Sequence, residues 1–269
     1  MLKASDMLSA KAIEEFEDDP LTYEAFHENT KITRANYPEL RSHVDRLMLN
    51  KHFQESNPFT FKHYPGCNEF ALPPVAEAAD IGLFEASHRR RTPKRFMPAA
   101  IKMSDLSYIL YVCNGITGEV SYKHGKQCLR TVPSAGAMYP IDIYLGVRRV
   151  ESLERGLYHF NVKTHSLFQL DSEDPSPLFR SMMIEEAYYE AGAFIVLAAN
   201  FIRHTYKYRE RGYRFSIIEA GQIAHAIALG AVSAGLSTLP VGGYFDDDFN
   251  RALKLDGVTE SIVHLLLVG

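Results

Sequence analysis

The chain has 269 residues, with 29 Lys and Arg against 33 Asp and Glu, a formal net charge of −4 at pH 7 and a pI near 6.3. That balance provides no basic field to recruit nucleic acid or an anionic membrane, and the length allows one large domain or two modest ones. Cys67, Cys113 and Cys128 have no Cys or His at the spacing of a metal or redox pair, which points to free thiols in a reducing compartment.

The N-terminus soon turns acidic, at Glu14, Glu15, Glu17, Asp18 and Asp19, and lacks the basic-then-apolar pattern of a signal peptide. The longest apolar runs, around 191–199 and 262–268, fall short of the ~20 residues of a membrane span. A cytoplasmic protein with neither a nucleic-acid nor a membrane partner is expected.

Residues 1–75 read as helices joined by polar turns, with no glycine before Gly66 and amphipathic spacing over 39–53 at Leu40, Val44, Leu47 and Leu49. This segment is expected to be a helical extension making partner or substrate contacts. Pro73-Pro74 punctuates the chain, and 76–269 reads as one mixed α/β unit. Ser104 is expected to cap a helix carrying Leu106, Ile109, Leu110 and Val112. Strand patterns follow at 141–147, 157–162 and 166–170, with a turn over 161–165. The continuous apolar run 193–199 predicts a central strand, and 262–268 a final one. Between them, Lys207 to Arg214 reads as a polar turn leading into a helix whose buried face carries Ile217, Ile218, Ala220, Ile223, Ala224, Ile227 and Ala228.

Three further segments have compositions suited to a ligand. Arg89-Arg90-Arg91-Thr92-Pro93-Lys94-Arg95 gathers five cations and a hydroxyl, a set that binds phosphate oxygens through guanidinium forks. Pro133-Ser134-Ala135-Gly136-Ala137-Met138-Tyr139-Pro140 places small residues between prolines, so that backbone amides can approach a flat ligand. Leu239-Pro240-Val241-Gly242-Gly243-Tyr244 reads as a third loop of this kind. Dinucleotide, P-loop, zinc-protease and nucleophile-elbow motifs are absent from the sequence, and no metal site is expected. His204 and His225 are read as structural.

With these motifs in order, the chain resembles the nitroreductase superfamily of flavoproteins, and within it the SagB-type, McbC-like azoline dehydrogenases. Arg90-Arg91-Thr92-Pro93-Lys94-Arg95-Phe96 is similar to the family's phosphate segment, with Thr for Ser. Lys207-Tyr208-Arg209-Glu210-Arg211-Gly212-Tyr213-Arg214 matches its hallmark, and Phe26-His27-Glu28-Asn29-Thr30-Lys31 resembles a motif at the start of this branch. The resemblance implies an α+β fold with a central mixed sheet flanked by helices, an intertwined homodimer, and FMN at the subunit interface.

It further implies that Arg90, Arg91, Thr92 and Lys94 hold the phosphate and ribityl chain. Pro133, Ser134, Ala135, Gly136 and Ala137 would contact the flavin, in many relatives the one held mainly by the partner chain. Pro240, Val241, Gly242 and Gly243 would line its reactive edge. A basic phosphate contact found near the C-terminus of generic nitroreductases is missing from Leu265-Leu266-Leu267-Val268-Gly269.

The reaction so implied takes a proton from the azoline ring and passes a hydride to the flavin, which carries the redox chemistry. Lys207 is one candidate base, provided desolvation or neighbouring cations such as Arg209, Arg211 and Arg214 keep it neutral; Tyr208 is the other. The substrate would be a peptide, and a cyclodehydratase the accompanying enzyme. Competing readings are another flavin reduction on the same scaffold, of dehydroamino acids, nitro compounds or quinones, and a non-catalytic peptide-binding subunit.

Overall fold

A computed structural model of the protein describes residues 22–55, 61–75 and 81–269. Three helices open the described chain, α1 (Thr22–Asn29), α2 (Tyr37–Leu49) and α3 (Lys51–Glu55). The amphipathic run 39–53 is therefore interrupted at Asn50, whose backbone turns to extended geometry while its N–H caps the Leu47 carbonyl. The rest comprises α4 (Leu83–Arg89), α5 (Met103–Asn114), α6 (Phe201–Tyr208), α7 (Arg211–Ser233) and α8 (Asp246–Ala252), with β1 (Glu69–Ala71), β2 (Ile116–Tyr122), β3 (Gly125–Arg130), β4 (Ile141–Val147), β5 (Gly156–Asn161), β6 (Ser166–Asp171), β7 (Ala193–Asn200), β8 (Thr238–Val241) and β9 (Glu260–Val268).

Seven strands form the central sheet in the order β1-β6-β5-β4-β7-β9-β8. The strand pairings are antiparallel, and the parallel pairing among the described residues is the isolated Ile101–Val150 bridge. Strand period 2 sends alternate side chains to two cores. Ile143, Leu145, Ile195 and Leu197 pack with Ile109 of α5 and Ile223 and Ile227 of α7. Tyr144, Phe194, Val196 and Leu265 pack on the opposite face with Phe179, Met182 and Phe249. Helices on one face therefore fix α7 directly behind the strand that leads into α6.

Several expectations shift. Lys102, not Ser104, is the N-cap of α5, and Ser104 sits inside its first turn with its hydroxyl toward Asp105. β1 belongs to the segment expected to be an extension, and it pairs with β6 as an edge of the main sheet. The β2–β3 hairpin, absent from the sequence reading, forms a separate two-stranded sheet. Its residues are largely exposed or half-buried, so it lacks the apolar alternation of a core strand. Helix α7 is long and apolar enough to cross a membrane by composition, yet half of its apolar window is buried against the sheet and α5.

Candidate active site

The segment expected to be one long polar turn is mostly helix. Residues 201–208 form α6, and the turn shrinks to Arg209, with φ of 51°, and Glu210, before α7 begins at Arg211. Close packing forces this geometry: a Cβ on Gly212 would lie 2.5 Å from the His204 carbonyl carbon, so only glycine lets α7 start against α6. Arg211 Nη1 donates to the Thr30 carbonyl at 3.3 Å, Arg214 Nη2 donates to that of His27, and Tyr213 meets Phe26 edge-on at 5.2 Å. Both arginines thus satisfy carbonyls at the C-terminus of α1, where the helix dipole favours cations. The motif at residues 26–31 and the one at 207–214 are two halves of one contact.

Those arginines are consequently not what perturbs Lys207. Its side chain is 7% exposed and has no ion-pair partner among the described residues, and burial alone pushes its ammonium below the usual range. Nζ stands 5.4 Å from the centre of the Tyr208 ring. Burial pushes the Tyr208 hydroxyl in the other direction, upward, and the ring is held edge-on by Phe215 at 5.2 Å. Of the two candidate bases, burial makes Lys207 the better proton acceptor and Tyr208 the better donor.

Strand β4 is preceded by a loop that folds back onto this pair. A Cβ on Gly136 would lie 2.7 Å from Lys207 Nζ and would overlap the Tyr208 hydroxyl, and Gly136 itself has φ of 61°. Ala137 and Tyr139 also have positive φ, of 51° and 42°, a concentration of backbone strain that marks a site held in shape by its surroundings. The loop is pinned on both sides: Tyr139 N–H donates to Ser134 Oγ at 2.8 Å, and the Gln127 side chain of β3 donates to the Ala137 carbonyl. Two motifs some seventy residues apart in sequence therefore meet with Gly136 as the point of contact.

Beneath the loop lies a buried polar layer that the sequence reading missed. Arg203 binds Asp142 bidentately at 3.0 and 3.1 Å and donates to the Tyr139 carbonyl at 2.9 Å, fixing α6 to the start of β4. Burial alone would raise the Asp142 carboxyl, but Arg203 and Lys62 hold it below its usual value. His204, read as structural, has Nδ1 3.1 Å from Ser216 Oγ and Nε2 3.5 Å from Ser134 Oγ. Glu219 is 3% exposed, and burial pushes its carboxyl up to about 8. Ser216, Glu219 and Ile223 recur at spacings of three and four, so two polar residues on the apolar stripe of α7 were the available signal.

The basic loop and the glycine pair lie elsewhere. The loop after α4 runs to Phe96, which packs against Gly269 and whose N–H donates to the Ala187 carbonyl, near the Ala193 end of β7. Asn200, at the opposite end of β7, donates its N–H to the Pro140 carbonyl and leads into α6. Eight residues of strand separate these ends by ~23 Å. No hydrogen bond or ion pair among the described residues joins the basic loop to Lys207, Tyr208 or the Ser134 loop.

Pro240 and Val241 belong to edge strand β8 rather than to a loop, and Val241 points into the core. Gly242 and Gly243 form the turn beyond it, held by the Met183 N–H donating to the Gly243 carbonyl at 2.8 Å.

These residues suit a phosphorylated, planar group. The Arg90, Thr92 and Lys94 side chains have no hydrogen-bond or ion-pair partner among the described residues, while Arg91 Nη1 turns back to the His88 and Arg90 carbonyls. A Cβ on Gly242 would meet nothing within 4 Å, leaving its backbone open to a ligand edge. No group of His, Cys, Asp and Glu able to hold a metal occurs among the described residues.

Comparison with known proteins identifies the family. The sequence profile of the nitroreductase family matches residues 88–269. MJ1384, a nitroreductase homologue of Methanocaldococcus jannaschii, is 34% identical over 188 residues, covering 70% of this chain and 90% of that protein. The trifolitoxin-processing protein TfxB of Rhizobium leguminosarum bv. trifolii is 23% identical over 98% of this chain and 76% of its own length. The microcin B17-processing protein McbC of Escherichia coli is 29% identical over 47% of this chain and 49% of its own.

Among solved structures, a nitroreductase homologue of Anabaena variabilis superposes with a TM-score of 0.73 at 24% identity over 91% of this chain. The chain spans only 45% of that protein's length. A chain of the E. coli microcin synthetase McbBCD complex with truncated pro-MccB17 gives 0.58 at 20% identity, over 94% of this chain and 98% of that one. Proteins of this family generally use a flavin. The chain is an oxidoreductase of the nitroreductase family.

Proposed function

We propose that the protein is an FMN-dependent dehydrogenase that oxidises thiazoline or oxazoline rings in a peptide to thiazole or oxazole, acting as a homodimer beside a cyclodehydratase. The observation that carries this reading is the placement of Lys207, buried and without a counter-ion among the described residues, with Tyr208 against the Gly136 turn. Reduction of a nitro group or quinone needs no dedicated base, whereas aromatising an azoline must remove a ring proton. The peptide-processing names of TfxB and McbC support the same substrate class.

Bound FMN supplies the two-electron acceptor. Lys207 Nζ, whose ammonium burial disfavours, takes the acidic ring proton, and Tyr208, whose hydroxyl burial pushes upward, donates a hydrogen bond to the substrate heteroatom or carbonyl. Gly136 leaves room for the substrate edge to approach both groups. Arg90, Thr92 and Lys94 would hold the flavin phosphate and ribityl chain, and the Gly242 and Gly243 amides would be available to donate to its ring. Because the basic loop and Lys207 lie near opposite ends of β7, each complete site combines the phosphate cradle of one subunit with the Ser134 loop and Lys207 of the other. The exposed faces of α1, α2 and α3 reach partner or peptide surfaces.

Purified protein incubated with an azoline-containing peptide should produce a species lighter by two hydrogens. Turnover of nitro compounds with a nicotinamide donor, and none of the azoline, would instead favour the activity that MJ1384 is named for.

A further inference from the structure

Two carboxylates hold the N-terminal half of α6, and one lysine from the segment before β1 reaches both. The Glu260 side chain of β9 accepts a hydrogen bond from the side chain of Asn200, the N-cap of α6. Asp142 of β4 accepts two from Arg203. Lys62 Nζ lies 2.5 Å from Glu260 Oε2 and 3.7 Å from Asp142 Oδ2, and it donates to the Tyr144 hydroxyl at 2.9 Å. The Lys62 side chain is 18% exposed and that of Glu260 25%, so solvent screens this cluster only in part. Lys62 and Arg203 together offset the two carboxylates. Removing Lys62 leaves one carboxylate in excess beside the anchors of α6, and a buried charge that has lost its partner is strongly disfavoured.

We propose that Lys62 is a positioning residue for α6, and through it for Lys207 and Tyr208. Arg203 and Lys207 are four residues apart and both buried, so they share one face of α6 about 6 Å apart along its axis. Whatever fixes Arg203 therefore fixes the depth and rotation at which Lys207 enters the site. The residue next to Lys62 braces the other half of the site. The Phe61 ring centre lies 5.3 Å from the Arg130 guanidinium, which covers the Tyr139 ring at 4.4 Å, and the Arg130 N–H donates to the Tyr139 hydroxyl at 2.9 Å. Tyr139 in turn closes the turn containing Gly136 through Ser134 Oγ. The far end of α6 is held from the same part of the chain, since His43 Nε2 of α2 lies 2.9 Å from the Tyr206 carbonyl. The N-terminal segment thus reaches both ends of the helix that carries the reacting pair, and Lys62 is its charged anchor.

This inference rests on the reading of Lys207 and Tyr208 as the reacting pair, but its first test requires no substrate. Amide hydrogen exchange of the flavin-loaded protein is followed over residues 201–208, and over 193–199 of β7 as a reporter of global unfolding, in wild type, Lys62→Met and Lys62→Arg. Lys62→Met should exchange at least about threefold faster over 201–208 with 193–199 unchanged, and Lys62→Arg, which keeps the cation, should restore protection. Lys62→Gln, which keeps an N–H donor but no charge, replaces the methionine variant if that one does not fold, and the same local acceleration is expected. With an azoline peptide, kcat of Lys62→Met should fall at least about tenfold at unchanged KM. Added to Lys207→Ala, the same substitution should cost less than about threefold, because the group it positions is already gone.

Wild-type exchange over 201–208 in the variant lacking the Lys62 charge would overturn the proposal. So would equal acceleration over 193–199 and 201–208, which would make Lys62 a support of the whole fold rather than of α6, and so would losses that multiply in the Lys207→Ala background. Failure of azoline oxidation by the wild type, with the local exchange pattern intact, would remove the substrate assignment and leave the positioning role standing.

Discussion

Gly136→Ala perturbs the contact on which the site is built. Two costs follow from the structure. A non-glycine residue at φ of 61° costs about 1–2 kcal/mol, and a Cβ 2.7 Å from Lys207 Nζ and overlapping the Tyr208 hydroxyl overpacks the site by about 1–3 kcal/mol. The second cost is relieved if Lys207 and Tyr208 move, since the atoms in the way are the far ends of flexible side chains. Stability should therefore fall by only about 1–2 kcal/mol, while both groups are displaced by ~1 Å, a shift that can cost about 10²-fold in rate.

Urea unfolding supplies the first quantity and single-turnover flavin reduction by an azoline peptide the second. Gly221→Ala is the contrast, because a Cβ there meets nothing within 4 Å and the position is helical; it should stabilise by up to about 1 kcal/mol. A Gly136→Ala protein with wild-type stability and single-turnover rate would refute the reasoning.

Co-expressing Lys207→Ala with Arg90→Ala subunits tests the shared site: the randomly assorted mixture, about half of it hybrid dimers with one intact site each, should recover about a quarter of wild-type activity, whereas a site built within one subunit recovers none. Arg90→Ala alone should lose flavin, read from the visible spectrum of the purified protein. Asp142→Asn should destabilise by about 3–5 kcal/mol in urea unfolding, since it leaves Arg203 and Lys62 facing a neutral partner in the interior. The raised Glu219 carboxyl binds a proton in the folded state that the unfolded chain has released. Wild-type stability relative to Glu219→Gln should therefore fall by up to a few kcal/mol as pH rises from about 4.5 to about 8, then level off, as thermal melts across that range would show.

Strands were legible in the sequence because their apolar runs are continuous: the expectations for 141–147, 166–170, 193–199 and 262–268 end within two residues of β4, β6, β7 and β9. The β2–β3 hairpin was not, since it packs outside the main core and carries no buried alternation. The turn expected over 207–214 is shorter, because Lys207 and Tyr208 end α6 and α7 begins at Arg211; Arg203, His204 and Lys207 of α6 look like solvent-facing residues, yet all three are buried. Tertiary contacts with Asp142, Ser216 and the Gly136 loop are what make a buried polar face tolerable there. The motifs named the candidate residues, but their spacing could not show that Gly136 approaches Lys207 while the Arg90 loop does not. Glu219 was visible only as one polar residue on an apolar stripe, and His204, 3.9 Å from it, lies on another helix.

The central claim is that Lys207 is the base that allows flavin-dependent oxidation of an azoline. Stopped-flow measurement of flavin reduction by an azoline peptide, in wild type and in Lys207→Ala protein of equal flavin content, tests it most directly. The rate should fall by at least about 10²-fold while the flavin spectrum is unchanged. Flavin reduction in Lys207→Ala at close to the wild-type rate would contradict the account.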